Sequence, residues 1–250
     1  VANSNIEKYG LIGRNIGYSF SKTYFKDKFE REHLPNFSYE NFDLSDIDQL
    51  QAVVAQTLYL KGLNVTIPYK EEVLPYLDKV NKKAFAIGAV NTIKITKKNK
   101  LKGYNTDYYG FKKSVKPYLK PHHKKALILG TGGASKAVAF ALMQLHIDYT
   151  FVSRNPKEDQ LNYEDLDEAI FNAYHLVINC TPLGTFPNVD ECPPIPYSLF
   201  TSNHLAFDVI YNPAETAFLK KAKEFQSETL NGYQMLVFQA EKAWSIWNKE

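Results

Sequence analysis

Short apolar runs alternate with longer amphipathic stretches from the start of the chain. YGLIG, from Tyr9, precedes SKTYFKDKFEREH. NFSYENF, from Asn36, precedes a polar-started stretch from about Asp46 to Thr57, and LKGLNVTI, from Leu60, precedes EEVLPYLDKV. Apolar runs of strand length followed by helical periodicity predict β–α alternation and an α/β domain. AVNTIKI and LKGYNTD then flank a lysine-rich turn at Lys97 to Lys100 and predict a hairpin, with a helix from about Tyr108 to Leu119 leading out.

The segment PYLKPHHKK, from Pro117, breaks the periodicity with two prolines and runs into ALILG, so a second domain is expected to begin near it. That domain continues with a helix from about Ala134 to Leu145, the strands DYTFVS, HLVINC and HLAFDVI, and a proline-rich loop at Cys192 to Pro196. A last helical pattern, from about Gly232 to Trp247, spaces Leu236, Ala240, Ala243 and Trp247 along one face.

Composition narrows the class. In 250 residues, 30 Lys and Arg stand against 27 Asp and Glu, and the net charge of +3 is dispersed, which argues against a nucleic-acid partner. Two cysteines, Cys180 and Cys192, do not make a disulfide scaffold, and the six histidines show no metal-ligand spacing. A reducing, cytoplasmic setting with no metal and no membrane partner is the expectation. The glycosylation patterns at Asn64 and Asn179 fall in or beside apolar strands and are read as chance matches, as is the one at Asn36.

ALILGTGGASKAVAFAL places Gly130, Gly132, Gly133 and Ala134 between a strand and a helix. Bare backbone there lets a pyrophosphate approach the helix N-terminus, where unpaired amides and the helix dipole favour an anion. The next strand ends FVSRNP, so Ser153, Arg154 and Asn155 stand where an NAD-binding unit carries a carboxylate for the ribose 2′-OH. A guanidinium suits a 2′-phosphate instead, and NADP(H) is the expected cofactor.

In the first half, GRNIGYSFS, GLNVTIPYKE, GAVNTI and GYNTDYYGF gather hydroxyls, amides, one Lys and one Asp at strand ends, a set suited to a small polyhydroxylated acid. With these motifs the chain resembles the shikimate dehydrogenase family over essentially its whole length. The resemblance implies that Ser19 and Ser21 bind the substrate carboxylate, although either serine also suits a helix N-cap. It puts Asn64, Thr66 and Lys70 where the family positions substrate and transfers a proton. Asn91 and Asp107 fall on residues that hold ring hydroxyls, Tyr211 and Gln239 on further substrate ligands, and Val209 and Gly232 at the nicotinamide end. Lys70 is the expected proton donor and Asp107 its holder. Tyr18 stands where the family usually has His, Asn15 where Pro is usual, and Ser153 where Asn is common.

The implied architecture is a substrate domain, 1–106 plus 232–250, and a Rossmann-like NADP-binding domain, 107–231, with the active site in the cleft. The implied reaction is NADPH-dependent reduction of 3-dehydroshikimate to shikimate in aromatic amino acid biosynthesis, by a monomer or homodimer. Two rivals are a quinate/shikimate dehydrogenase using NAD(H) and a non-catalytic NADP-binding sensor. The missing carboxylate argues against the first, and retention of both Lys70 and Asp107 against the second.

Overall fold

The computed structural model describes residues 6–17 and 19–249; Tyr18 lies outside them. The chain divides into two compact units, one of residues 1–106 with 240–250 and one of residues 107–239. The second boundary falls inside the last helix rather than at its start, seven residues past Gly232, because the two ends of that helix pack on different elements.

The first unit runs β1 (Glu7–Gly13), α1 (Phe20–Arg31), β2 (Phe37–Asp43), α2 (Leu50–Gln56), β3 (Leu60–Val65), α3 (Tyr69–Glu72), β4 (Lys79–Val80), α4 (Lys82–Ile87), β5 (Thr92–Ile95) and β6 (Leu101–Tyr104). Its mixed sheet has the order β2-β1-β3-β5-β6-β4. β1 is parallel to β2 and β3, while the expected β5–β6 hairpin is antiparallel.

EEVLPYLDKV does not form the expected helix. α3 stops after one turn, a 3-10 turn follows at Leu74–Tyr76, and Lys79–Val80 joins the sheet edge. Pro75 has no N–H to give an i−4 carbonyl and disfavours helical backbone at Leu74. The helix expected from Tyr108 to Leu119 likewise ends early, at Val115, before a 3-10 turn containing Pro117.

The second unit contains α5 (Asp107–Val115), β7 (Lys125–Leu129), α6 (Gly133–Gln144), β8 (Asp148–Val152), α7 (Glu168–Ala173), β9 (Leu176–Asn179), β10 (Leu205–Asp208), α8 (Ala217–Glu224), β11 (Glu228–Leu230) and the start of α9 (Tyr233–Asn248). Its sheet is wholly parallel, in the order β11-β10-β9-β7-β8. Burial on both faces explains why β7, β9 and β10 read as unbroken apolar runs.

The C-terminal turns of α9 complete the first unit's core. Ala240, Ala243 and Trp247 pack with Tyr9, Leu11, Phe25 and Tyr39. The rings of Tyr9 and Trp247 lie 4.8 Å apart, and the buried indole N–H of Trp247 donates to the Ile93 carbonyl at 2.9 Å. A side chain at Gly62 would run into that indole, so only glycine lets it lie against β3. Lys28, on α1 and only 3% exposed, is held by Glu32 at 2.7 Å and Glu241 at 2.9 Å, and Glu241 also accepts from Tyr24. No helix among the described residues is long and apolar enough to cross a membrane.

Candidate functional site

In the first unit the expected substrate residues sit at strand ends and helix starts. Ser19 caps α1, its hydroxyl oxygen accepting from the Ser21 amide at 3.2 Å. Asn15, in the loop before it, has φ of +57°, and its N–H donates to Asp43 at 2.8 Å. Proline could do neither, so the departure at this position has a local structural meaning.

Thr66 follows β3; its N–H donates to the Ile12 carbonyl at 2.9 Å, and its carbonyl accepts from Tyr69 at 2.9 Å. Tyr69 is fully buried and donates to the Leu44 carbonyl at 2.7 Å, which anchors the single turn that carries Lys70. Lys70 itself is half-buried, and its carbonyl accepts from Val90 at 2.7 Å.

A buried amide and hydroxyl network lies beneath these positions. Asn64 accepts from the Tyr39 hydroxyl at 2.8 Å and donates to the Asn91 carbonyl at 3.2 Å and the Thr92 hydroxyl at 3.3 Å. The Asn91 oxygen accepts from the Thr106 amide at 2.6 Å, and its nitrogen donates to the Thr106 hydroxyl at 3.0 Å. Asn64 and Asn91 therefore lock β3, β5 and the turn immediately before Asp107, and at 5% and 3% exposure they are framework as much as surface.

In the second unit, Asp107 is buried at the first position of α5, where a carboxylate suits the helix N-terminus. Gln239 is buried on α9, which crosses α5 at Gly110; a β-carbon there would collide with the Met235 carbonyl and crowd Gln239. Tyr211 is half-buried in the loop after β10. Gly232 lies directly on the backbone of Val209 and donates to the Ile210 carbonyl at 2.9 Å, leaving no room for a side chain.

The geometry at β7 and α6 fits a dinucleotide. Gly130 turns with φ of +96°, open space surrounds Gly132, and no side chain caps α6. The first amides of this 12-residue helix are thus left for an anion. After β8, the Ser153 hydroxyl accepts from the Asn155 amide at 3.2 Å, and Arg154 is exposed with no ion pair among the described residues. That is a donor set for a phosphate rather than an acceptor for a ribose hydroxyl.

One further cluster belongs to no sequence motif. Asp208 ends β10 fully buried, accepting from Thr216 at 2.6 Å, the Ile210 amide at 3.0 Å and Asn179 at 3.1 Å. Burial pushes its pKa up to about 6 against the pull of those bonds. A charged residue inside the apolar run HLAFDVI was its only signal. Burial, with Asp208 next, also raises the pKa of the Cys180 thiol, which disfavours its thiolate.

Residues 11–93 match a family model described as the shikimate dehydrogenase substrate binding domain. Across 250 residues the chain is 40% identical to the shikimate dehydrogenase (NADP(+)) of Clostridium botulinum strain Hall, covering 95% of each protein. The chain belongs to the shikimate dehydrogenase family. Shikimate dehydrogenase structures share its fold. The crystal structure from Aquifex aeolicus matches with a TM-score of 0.87 at 33% identity, covering 99% of this chain and 94% of that one. The Thermus thermophilus shikimate dehydrogenase in complex with NADP(H) and shikimate matches with a TM-score of 0.85 at 29% identity, covering 97% of this chain and 93% of that one.

Proposed function

We propose that this protein is an NADP-dependent shikimate dehydrogenase that reversibly reduces 3-dehydroshikimate to shikimate, an oxidoreductase of aromatic amino acid biosynthesis. The observation that carries the reading is the 40% identity, over 95% of the chain, to a protein named for that activity. Lys70 and Asp107 both stand within the motifs that this likeness spans. The first unit serves as the substrate domain and the second as the cofactor domain, in a cytoplasmic protein that works as a monomer or homodimer.

Ketone reduction needs a hydride at carbon and a proton at oxygen. NADPH, when bound, supplies the hydride. Lys70 stabilises negative charge growing on the ketone oxygen and donates the proton to it, and Asp107 holds the neighbouring ring hydroxyl. Ser19 and Ser21 donate hydroxyl hydrogen bonds to the ring carboxylate, joined by Tyr211. Thr66, Asn91 and Gln239 hold the ring hydroxyls. Gly130, Gly132, Gly133 and Ala134 admit the pyrophosphate to the start of α6. Ser153, Arg154 and Asn155 would take the 2′-phosphate of the bound cofactor, and Val209 and Gly232 would line its nicotinamide end.

The test is product identity. Purified protein given 3-dehydroshikimate and NADPH is expected to consume both in equal amounts and release shikimate, identified by chromatography. Reduction of 3-dehydroquinate at a comparable rate, or faster with NADH, would transfer the reading to a quinate dehydrogenase. NADPH binding without turnover would leave a sensor.

A further inference from the structure

The Asp208 carboxylate ties the loop after β10 and the start of α8 to the end of β9, where Asn179 is already its partner in the β9–β10 pairing. Its Oδ1 accepts from the Ile210 amide, in the loop after β10, and from Asn179 at the end of β9. Its Oδ2 accepts from the Thr216 hydroxyl, which in turn accepts from Leu219 at 3.3 Å and caps α8. The Asn179 oxygen accepts from the Thr181 amide at 3.0 Å and its hydroxyl at 2.7 Å, fixing the turn after β9. The Asn179 carbonyl takes the Val209 amide at 3.1 Å, and the Ile210 carbonyl takes the Gly232 amide at 2.9 Å. The buried carboxylate thus holds the Ile210 backbone directly, between the ladder bond at Val209 and the bond from Ile210 to Gly232.

No ion pair with Asp208 is found among the described residues, and the titratable groups facing it are Cys180, after β9, and Tyr197, both neutral at pH 7. With its pKa raised by burial to about 6, Asp208 is charged at neutral pH at a cost in stability. Asparagine has the same shape and carries no such cost, so packing alone does not explain the charge. An anion strengthens all three hydrogen bonds it accepts, which neutral asparagine would not.

We propose that Asp208 is a positioning residue for the ketone reduction. Resting on the function proposed above, its carboxylate holds the 209–213 loop so that Val209 and Tyr211 meet cofactor and substrate in register. It touches neither ligand. Protonating it loosens the loop.

The experiment is the pH profile of kcat for shikimate oxidation with NADP⁺, between pH 5 and pH 9, in the wild type, Asp208→Asn, Thr216→Val and Thr216→Ser, with thermal melts alongside. The wild type is expected to lose rate on the acid side of about pH 6. Asp208→Asn should melt as a folded protein, lose roughly 10- to 100-fold in kcat at pH 8, the scale of a misplaced group, and lack that inflection. Thr216→Val, which removes a donor to the carboxylate, should move the inflection to higher pH, and Thr216→Ser should return it. Unshifted profiles in folded Asp208→Asn and Thr216→Val, or a loss that tracks only the melting temperature, would overturn the proposal. If Asp208→Asn does not fold, the Thr216 pair decides. Absence of turnover in the wild type would instead fail the function itself.

Discussion

The two units present their functional groups by different means. In the first, the candidates are side chains, Ser19, Thr66, Lys70 and Asn91, and a neutral network of Asn64, Asn91, Thr92 and Thr106 ties the ends of β3 and β5 to the turn before α5. In the second, much of the work falls to bare backbone: the φ of +96° at Gly130, the uncapped start of α6, and Gly232 lying on Val209. Chemistry at a ketone calls for side chains that gain or lose protons, whereas a pyrophosphate is bound by amides. Changes at Lys70 should therefore act on kcat, and changes at the glycine turn and Arg154 on cofactor binding.

Lys70→Ala gives the largest effect that this division predicts. A proton donor contributes about 10²- to 10⁴-fold, so steady-state kinetics should show that loss in kcat with little change in KM. The NADP⁺ dissociation constant, measured by calorimetry, should stay near the wild-type value. Arg154→Ala sharpens the comparison from the other side. Losing a charge-assisted hydrogen bond costs about 1.5–3 kcal/mol, so KM for NADP⁺ should rise about 10- to 100-fold while kinetics with NAD⁺ barely change. An equal loss with both cofactors would break it.

Gly232→Ala forces a β-carbon against the Val209 carbonyl. Overpacking of this kind costs about 1–3 kcal/mol, seen as a lower melting temperature, and should weaken NADP⁺ binding as the loop shifts. Its effect on proton transfer should be secondary.

The smallest effect concerns pH and stability. The rings of His123, His122, His175 and His204 form a chain, in that order, with centroid spacings of 4.5, 5.3 and 5.3 Å. Burial lowers the pKa of His123 and His204, and the neighbouring imidazoles lower them further. A histidine whose folded pKa lies below its unfolded value stabilises the fold fully above about pH 6.5 and loses that contribution as pH falls. Asp208 runs the other way: its raised pKa favours the fold at low pH, and that contribution is lost between about pH 4 and about 6. Melts taken from pH 8 down to pH 5 should fall by a few degrees in the wild type and more steeply in Asp208→Asn. A flat curve would remove the histidines from the account.

The sequence made the long elements legible because their apolar spacing had no competitor. Two β–α series, the β5–β6 hairpin and the α9 stripe of Leu236, Ala240, Ala243 and Trp247 all form. Where proline interrupts the apolar pattern, periodicity is a poor guide, and after the single turn of α3 residues 73–80 fold as turn and strand edge. α4 carries readable end signals in a short segment: Asn81 caps it, and Gly88 ends it with φ of +73°. The short α7 and β11 offer few periods to read. In the site, individual motifs exposed Lys70, Asp107 and the glycine turn, whereas contacts between distant segments hid the Asn64–Tyr39 bond and the Asp208 hub. No local spacing encodes a partner 25 or 29 residues away.

The most direct test is the ratio of kcat/KM for NADP⁺ to that for NAD⁺ in shikimate oxidation, followed at 340 nm. A ratio well above one that collapses toward one in Arg154→Ala is the expected result. No turnover with either cofactor, or a wild-type preference for NAD⁺, would contradict the account.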